Sequence, residues 1–415
     1  MLKLGTMKEK IIEYNTAIQT VGKVVSAGLG FITIGILTRY LGESGFGTYT
    51  LVFVYLSFFG IIGELGLQLT MVRELNKQNN NENILGTYFW LKIILSLISV
   101  LVAIVFLLFF PYSWYVKSAI IIASFGFTLG TFNTFGSTIF QSKVRLDLVT
   151  FSDLISRIVT TILIITLVYL KFSLNTILIA LLVGNFSSFL FNFYQIKKLT
   201  SFSFSFNRLL AQKLIIKSLP VALITLLSLL YFKIDTLILS LYRPAEEIGY
   251  YGLVYKIFDN LLVLWGFYMA SVYPMLSDFI YSSQNEKALE LWKKSKKTAL
   301  TSSILIAVIG VVLAPLVISL FGGNQFVGSI ISLRIVLIGL PFFYLNNLFF
   351  HLSLSKEKTK VPIYAIFISL IFNLILDLIF IPIYGYIGAS IITVATEILL
   401  FISYISFTNF FKVKI

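Results

Sequence analysis

The stretch ILSLISVLVAIVFLLFF, residues 94–110, decides the class of fold. It contains no charged residue, and its apolar side chains do not alternate with polar ones. A membrane-spanning helix needs about 20 mostly apolar residues, whereas a strand of a membrane barrel alternates apolar and polar positions. The stretch therefore predicts a transmembrane helix.

The composition of the whole chain agrees with this helix. Hydrophobic residues make up 58% of the sequence, charged residues make up 12%, and the mean hydropathy is +0.94. A soluble domain carries about 25% charged residues. Because lipid offers no hydrogen bonds to a bare backbone, we predict an all-α integral membrane protein.

Apolar runs separated by polar breaks predict about twelve transmembrane helices. We expect the first six near 18–38, 47–71, 84–110, 117–139, 150–170 and 174–194. We expect the second six near 215–241, 248–276, 298–321, 329–353, 361–381 and 386–409. The predicted domains are an N-terminal six-helix bundle (1–195), a cytoplasmic linker (196–214) and a C-terminal six-helix bundle (215–415). Within NRLLAQKLIIK (207–217), the pattern fits either an amphipathic helix on the membrane surface or a plain connector.

The basic residues predict the orientation of the chain, because cytoplasmic loops are enriched in Lys and Arg. Most of the 32 basic residues fall in loops on one side of the predicted spans, and these include Arg73, Lys143, Lys197, Lys293 and Lys356. Both termini are therefore expected in the cytoplasm. The net charge of +14 then reflects topology and contact with membrane lipid, and no nucleic-acid partner is expected.

Two short polar hairpins repeat along the chain. YLGESGFGTY (40–49) and YRPAEEIGYY (242–251) lie 202 positions apart, so that Gly47 aligns with Gly249. A weaker echo at offset 213 aligns Asn133 with Asn346. Because six spans are an even number, both halves start on the same side, and the repeat is a parallel pseudo-twofold. Transporters built in this way place their substrate site between the halves and expose it to each side in turn.

Charged residues inside the predicted spans are the candidates for function, because each costs about 2.5–3.5 kcal/mol at a helix centre. The basic candidates for substrate binding are Lys23, Lys233, Arg334, Arg157 and Lys256. The acidic candidates for binding a coupling ion are Asp235, Glu64, Asp377, Glu397 and Asp153. No catalytic residue, metal or cofactor is predicted, and Na+ and H+ are the candidate coupling ions.

Spacing along single helices suggests which charges neutralise each other. Asp153 and Arg157 are four residues apart, and Lys256 and Asp259 are three apart, so each pair can form on one helical face. These pairs can be purely structural. Lys92 lies near the end of its span and is expected to extend to the interface.

Lys23, Lys233 and Arg334 have no acid three or four residues away on their own helices. A diphosphate is a suitable partner for them, because ammonium and guanidinium groups form charge-assisted hydrogen bonds with phosphate oxygens. The alternative partners are acids on other helices, namely Glu64, Asp377 and Glu397. Polar positions such as Asn133, Asn346 and Tyr344 are candidates for sugar specificity.

Two further features concern the shape of the helices. Gly339 and Pro341 lie near the middle of one predicted span and predict a break there. Gly60, Gly63 and Gly66 put small residues along the second span and predict close helix packing.

Several segments together resemble a known family. TRYLGESGFGTY (38–49), ELGLQLTMVREL (64–75), FQSK (140–143), KIDTLILSLYRPAEEIGYYGLVYK (233–256) and YGYIGASIITVATE (384–397) resemble segments of Wzx-type polysaccharide repeat-unit flippases. These belong to the multidrug/oligosaccharidyl-lipid/polysaccharide exporter superfamily. Leu65 replaces the family's usual aromatic residue, and Lys143 stands one position early.

The resemblance implies a two-bundle exporter fold and a location in the bacterial cytoplasmic membrane. The implied substrate is an undecaprenyl-diphosphate-linked oligosaccharide, flipped to the outer leaflet by alternating access, and other polysaccharide assembly proteins are candidate partners. Two alternatives share the fold: a multidrug exporter and a lipid II flippase. The first predicted span carries Lys23 and no acid, which favours an anionic substrate over a cationic drug. A membrane polymerase or ligase is disfavoured because the predicted outer loops are short.

Overall fold

The computed structural model describes the backbone of residues 2–77, 82–200 and 204–410, and the side chains of 14–15, 17–76, 83–200 and 204–407. Within these ranges every regular element is a helix. Ten helical segments of the described chain are long and apolar enough to cross a membrane. The prediction of an all-α, multi-pass membrane protein is confirmed.

Eleven α-helices follow one another in the described part of the chain. They are α1 (Leu2–Glu64), α2 (Leu67–Lys77), α3 (Glu82–Leu107), α4 (Trp114–Ser142), α5 (Leu146–Tyr169), α6 (Leu174–Leu199), α7 (Arg208–Tyr242), α8 (Ala245–Tyr281), α9 (Asn285–Gly322), α10 (Ser329–Ser355) and α11 (Lys360–Phe410). A short 3₁₀ helix, Asn324–Phe326, lies between α9 and α10.

The longest segments, α1 and α11, each contain one residue that is not helical. Gly42 has φ 67° and ψ −177°, and Gly385 has φ 57° and ψ −142°. These left-handed angles favour glycine because it has no Cβ. Each segment is therefore two helices joined at a glycine, at a place where the sequence predicts a loop. The total of twelve spans stays a prediction, since length and composition define ten.

The chain divides into two compact units. The first unit comprises Met1–Tyr40 and Leu51–Leu229, and the second comprises Leu41–Thr50 and Leu230–Ile415. The predicted linker is not a plain connector, because its residues 208–214 are the first turns of α7. Residues 201–203 of that linker lie outside the described residues.

The start of α7 corrects the expectation of a separate surface helix. Ala211 and Leu214 are buried in an apolar cluster with Leu67 and Met71 of α2. The segment packs on protein through these residues and continues without interruption into the rest of α7. α2 thus covers the side of the segment that carries Ala211 and Leu214, whereas Leu209 and Ile216 remain exposed.

The repeated hairpins meet inside the second unit, where their glycines exchange equivalent contacts. A Cβ at Gly47 would overlap the Ala245 carbonyl oxygen, and a Cβ at Gly249 would overlap the Glu43 carbonyl oxygen. At offset 202, Glu43 aligns with Ala245 and Gly47 aligns with Gly249. A contact in which each segment uses the same residues is the signature of a local twofold. Both glycines are needed for this close approach of the two backbones.

The second repeat also has a structural role in each unit. Asn133 donates its side-chain N–H to the Asn185 carbonyl oxygen at 2.9 Å, and Asn346 donates to the Glu397 carbonyl oxygen at 2.9 Å. Equivalent asparagines therefore join equivalent helices. Tyr344, the third candidate for sugar specificity, donates to the Leu261 carbonyl oxygen at 3.0 Å. These three polar residues bind neighbouring helices together.

The break predicted in α10 is absent, and another break is present. α10 is helical throughout and includes Pro341. By contrast, the predicted second span is interrupted at Leu65 and Gly66, which have φ 43° and 67°. A Cβ at Gly66 would lie 2.8 Å from the Ser218 carbonyl oxygen, so α7 packs directly on this break. Proline alone does not force a visible interruption, whereas two consecutive left-handed residues do.

Replacing Gly249 by Ala is expected to destabilise the protein by about 1–3 kcal/mol, because the added methyl meets rigid backbone. The measurement is the thermal midpoint of the detergent-purified protein, followed by fluorescence-detected size exclusion. Gly266 provides a matched control on the same helix, since a Cβ there has nothing within 4 Å. Gly266→Ala should leave the midpoint unchanged or raise it slightly. Equal midpoints for Gly249→Ala and wild type would contradict the close packing of the hairpins.

Candidate functional site

Two predicted cations of the first unit lie on one exposed face. Lys23 of α1 is exposed and has Thr20 and Ser26 one turn to either side of it. The guanidinium of Arg157, on α5, lies 3.4 Å from the position a Cβ would take at Gly30. Gly30 is two helical turns beyond Lys23, a rise of about 10 Å along α1. The face therefore presents two positive charges, with the exposed carboxylate of Asp153 one turn from Arg157.

Arg334 has a different environment. It is exposed on α10 and donates from Nε to the Val311 carbonyl oxygen of α9 at 3.1 Å. Its neighbours one turn away on the same face, Ile331 and Ile338, are large apolar side chains that are also exposed. An apolar exposed face is expected to contact lipid, and Arg334 lies close to the end of its helix. Arg334 belongs to the second unit, whereas Lys23 and Arg157 belong to the first.

The pairs predicted from spacing along one helix do not form salt bridges within the described part of the chain. Asp153 and Arg157 lie on the same side of α5 and are both exposed, and they interact electrostatically without forming a salt bridge. Asp259 pairs with Lys233 of α7 at 3.4 Å, instead of with Lys256 on its own helix. The Lys233 and Asp259 side chains remain 29% and 46% exposed, so this pair is open to solvent or a ligand. Lys256 is half-buried.

The prediction for Lys92 is wrong. Its side chain is fully buried, and its ammonium contacts the Glu64 carboxylate at 2.6 Å and the Gly63 carbonyl oxygen at 3.1 Å. Thr134 donates a further hydrogen bond to the same Glu64 oxygen at 2.9 Å. Glu64, predicted as an ion-coupling candidate, is therefore held by a cation of the protein.

This ion pair sits at the break between α1 and α2. The Gly63 carbonyl belongs to the last turn of α1, where the carbonyl groups lack helical partners, and Lys92 binds it. The other oxygen of Glu64 accepts the backbone N–H of Gln68, in the first turn of α2, at 2.9 Å. Lys92 and Glu64 thus satisfy both free helix ends and neutralise each other. Their separation of 28 positions in the sequence explains why spacing alone did not reveal the pair.

Asp235 lies at the centre of a hydrogen-bonded network in the second unit. It is 4% exposed and accepts the backbone N–H of Thr236 at 2.6 Å and a hydrogen bond from the Tyr251 hydroxyl. Tyr251 in turn contacts the Tyr255 hydroxyl at 2.9 Å, and Tyr255 contacts Thr393 at 2.8 Å. The network connects α7, α8 and the second part of α11.

The Glu397 carboxylate accepts hydrogen bonds from neutral side chains. Tyr231 donates to one carboxylate oxygen at 2.5 Å, and the Asn346 amide donates to the other at 2.7 Å. The side chain is buried, 2% exposed, and joins α7, α10 and α11. These contacts hold the helices together, although Glu397 also borders the small cavity described next.

Asp377 differs from the other acids, because neither of its carboxylate oxygens has a partner among the described residues. It is 0% exposed and close enough to Asp235 for the two charges to interact. Asn373, one turn earlier on α11, also has a buried side-chain oxygen without a partner. A buried polar group that lacks a hydrogen bond is costly, so the site has room for a bound species.

A small cavity in the second unit is lined in part by Asn373. Its volume is about 10 Å³, enough for a single water or a small cation, and its polar lining comes from Asp235, Asn373, Thr393, Thr396 and Glu397. Sequence reasoning selected the carboxylates and missed Asn373 and Thr393. The available signal for Asn373 was its position four residues before Asp377, on the same helical face.

Comparison with solved structures identifies the fold. A lipid II flippase, MurJ, in an inward-closed conformation matches with a TM-score of 0.77 and 18% identity, over 94% of this chain and 87% of that chain. An inward-facing multidrug resistance MATE family transporter of the MOP superfamily matches with a TM-score of 0.78 and 16% identity, over 92% and 94%. A MOP superfamily transporter from Pyrococcus furiosus matches with a TM-score of 0.62 and 16% identity, over 96% and 93%.

The chain is a multi-pass membrane protein, and its fold is that of solved MOP-superfamily transporters. A family model described as polysaccharide biosynthesis protein matches residues 13–280, and a MatE model matches residues 220–379. The chain belongs to the polysaccharide biosynthesis protein family. No curated protein sequence matches the chain. The resemblance to the exporter superfamily, which rested on short motifs, is thereby confirmed.

Replacing Lys92 by Met is expected to cost about 3–5 kcal/mol of stability, because it leaves the Glu64 carboxylate without its cation. Adding Glu64→Gln to Lys92→Met should recover part of that loss, since the remaining pair is neutral. The measurement is the thermal midpoint of the two single variants and the double variant in detergent. Additive losses in this cycle would show that Lys92 and Glu64 do not act as a pair.

Proposed function

We propose that the protein flips an undecaprenyl-diphosphate-linked oligosaccharide repeat unit from the cytoplasmic to the outer leaflet of a bacterial cytoplasmic membrane. The observation that carries this proposal is the polar face of the first unit with Lys23 and Arg157. Arg157 is exposed in a membrane-spanning helix, and a cation there needs water or an anionic group, because lipid does not solvate it. Lys23 adds a second exposed positive charge to the same face. Membership of the polysaccharide biosynthesis protein family supports a glycan substrate.

Binding of the anionic diphosphate would explain why this face carries positive charge. Arginine matches phosphate oxygens with several N–H donors in a fixed plane, and lysine supplies a compact charge. A spacing of about 10 Å along α1 allows the two residues to bind opposite ends of one diphosphate and its first sugar. A cationic drug would be repelled by the same face. In the second unit, Lys233 is partly exposed beside Asp259, and Arg334 lies on an apolar exposed face.

Transport against a gradient needs an energy source, and we propose a cation, Na+ or H+, bound at Asp377. Its two oxygens and that of Asn373 lack partners among the described residues. Asn373 lines the small cavity together with Asp235 and Thr393, and Asp235 is close enough to Asp377 to interact with it electrostatically. Carboxylate, amide and hydroxyl oxygens are the ligands that hard cations prefer. Alternating access would then couple binding of the cation to movement of the substrate. Both termini are proposed to be cytoplasmic, as the basic loops predict, and other polysaccharide assembly proteins are proposed partners.

Lys23→Gln and Arg157→Gln are each expected to slow flipping by about ten- to a hundredfold, because a hydrogen bond to a charged group contributes about 1.5–3 kcal/mol. The measurement is leaflet exchange of a fluorescent polyprenyl-diphosphate oligosaccharide in proteoliposomes. Arg334→Gln removes an exposed cation from a different face and should retain the wild-type rate.

Three other outcomes separate the alternatives to this function. Efflux of ethidium without exchange of the lipid would assign drug export. Exchange of lipid II alone would assign a peptidoglycan precursor. Equal loss in all three cation variants would show that the rate follows total charge and not the Lys23 face.

Asp377→Asn is expected to abolish stimulation of flipping by an imposed gradient, because the amide keeps the shape of the carboxyl group but loses its charge. The measurement is the flipping rate with and without an inward Na+ gradient, and separately with a proton gradient. Asp278→Asn alters an exposed carboxylate near the end of α8 and serves as the control. Full stimulation of Asp377→Asn by both gradients would rule out this residue as the coupling site.

A further inference from the structure

A second cavity, much larger than the one lined by Asp235 and Asn373, lies wholly within the first unit. Its volume is about 410 Å³, within the range of about 300–1,000 Å³ that is typical of small-molecule sites. Phe53 and Phe127 supply aromatic surface, and Glu64, Gln68, Thr131 and Asn185 supply polar groups. We call it the Gln68 cavity. It adjoins the break between α1 and α2, and breaks in membrane helices commonly form ligand sites.

The Gln68 cavity carries no net charge. Its one ionised lining residue, Glu64, is neutralised by Lys92 at 2.6 Å and also accepts from Thr134. A lone carboxylate would attract a cation, whereas this pair offers oxygen lone pairs without a field that selects for charge. The cavity is therefore suited to an uncharged ligand that has a largely apolar surface and a few hydrogen-bonding groups.

Some polar groups of the cavity already form hydrogen bonds within the protein, and one does not. The Asn185 side chain donates to the Gly126 carbonyl oxygen at 2.9 Å and accepts from Ser156 at 3.0 Å, so it fixes the wall. The Gln68 side-chain amide makes no hydrogen bond within the described part of the chain, and only its backbone N–H is bonded. It thus retains both a donor and an acceptor for a ligand.

This combination matches the chemistry of a sugar. Each sugar hydroxyl donates and accepts, as an amide does, and the C–H face of a pyranose ring is apolar and packs on aromatic rings. A hydrophobic drug would leave the Gln68 amide without a partner, which is unfavourable. A phosphate would meet the Glu64 carboxylate and no exposed cation.

We propose that the Gln68 cavity is a binding subsite for one or two uncharged sugar residues of the glycan. This inference rests on the proposed function, since it assigns part of the lipid-linked substrate to the first unit. The diphosphate would be bound by the Lys23 face and the sugar by the Gln68 cavity. The specificity of the transporter for its glycan would then depend on Gln68, Thr131 and the two phenylalanines.

The test uses the purified full-length protein in detergent and a panel of free methyl glycosides and disaccharides of hexoses and N-acetylhexosamines. Binding is measured by saturation-transfer-difference NMR. At least one uncharged saccharide should bind the wild-type protein, and Gln68→Leu, which conserves volume, should weaken its binding about tenfold. Gln141→Leu replaces another half-buried glutamine, away from the cavity, and should bind like wild type.

A second variant makes the test independent of whether Gln68→Leu folds. Gly130→Leu fills the cavity from α4 and should abolish saccharide binding even if Gln68→Leu fails to fold. Absence of binding across the panel, unchanged binding in both cavity variants, or displacement of the saccharide by rhodamine 6G would overturn the sugar subsite. Flipping of the lipid-linked substrate without saccharide binding would overturn this inference alone. Saccharide binding without flipping would support the subsite and overturn the proposed flippase function.

Discussion

Hydrocarbon does not solvate an open carbonyl or an isolated charge, and the first unit depends on how Lys92 and Glu64 satisfy that constraint. The break between α1 and α2 exposes the end of one helix and the start of another inside the membrane. Lys92 binds the Gly63 carbonyl, Glu64 binds the Gln68 N–H, and the two side chains bind each other. One ion pair thus permits an irregular backbone at this depth. Without that break, α2 would continue the line of α1, and the wall of the Gln68 cavity would be different.

The second unit is organised by close backbone approach. Gly47 and Gly249 let the two repeated hairpins approach until a Cβ on either glycine would overlap the opposite carbonyl. The same absence of a side chain at Gly385 leaves space for Glu247, which accepts the Tyr386 N–H at 3.0 Å and also binds Arg243 at 2.7 Å. Glycines and the Arg243–Glu247 ion pair therefore fix the geometry of these helix ends. The buried acids Asp235 and Asp377 lie within helices whose ends are fixed in this way.

The membrane-spanning segments and the internal repeat could be predicted from the sequence, because both leave a pattern that extends over many residues. The glycine pair at offset 202 and the asparagine pair at offset 213 both proved to be matched contacts. Partners across helices could not be predicted in this way. Spacing suggested Lys256 for Asp259, yet Lys233 of the neighbouring helix binds it, because two helices packed side by side bring distant positions into contact. The break at Gly66 was missed for the same reason: its cause is the close approach of α7, which no local pattern records.

The two halves of the repeat retain the residues that hold helices together and differ in the residues that carry charge. Asn133 and Asn346 make the same hydrogen bond. At offset 202, however, Lys23 aligns with Thr225, and Asp235 aligns with Thr33, which contacts Thr161 at 3.1 Å. A transporter that couples an anionic substrate to a cation has reason to separate the two, because in a shared site each would neutralise the groups that bind the other. Divergence of a duplicated bundle can provide that separation, because positions that are equivalent in the repeat, such as Lys23 and Thr225 or Thr33 and Asp235, carry a charge in one half only.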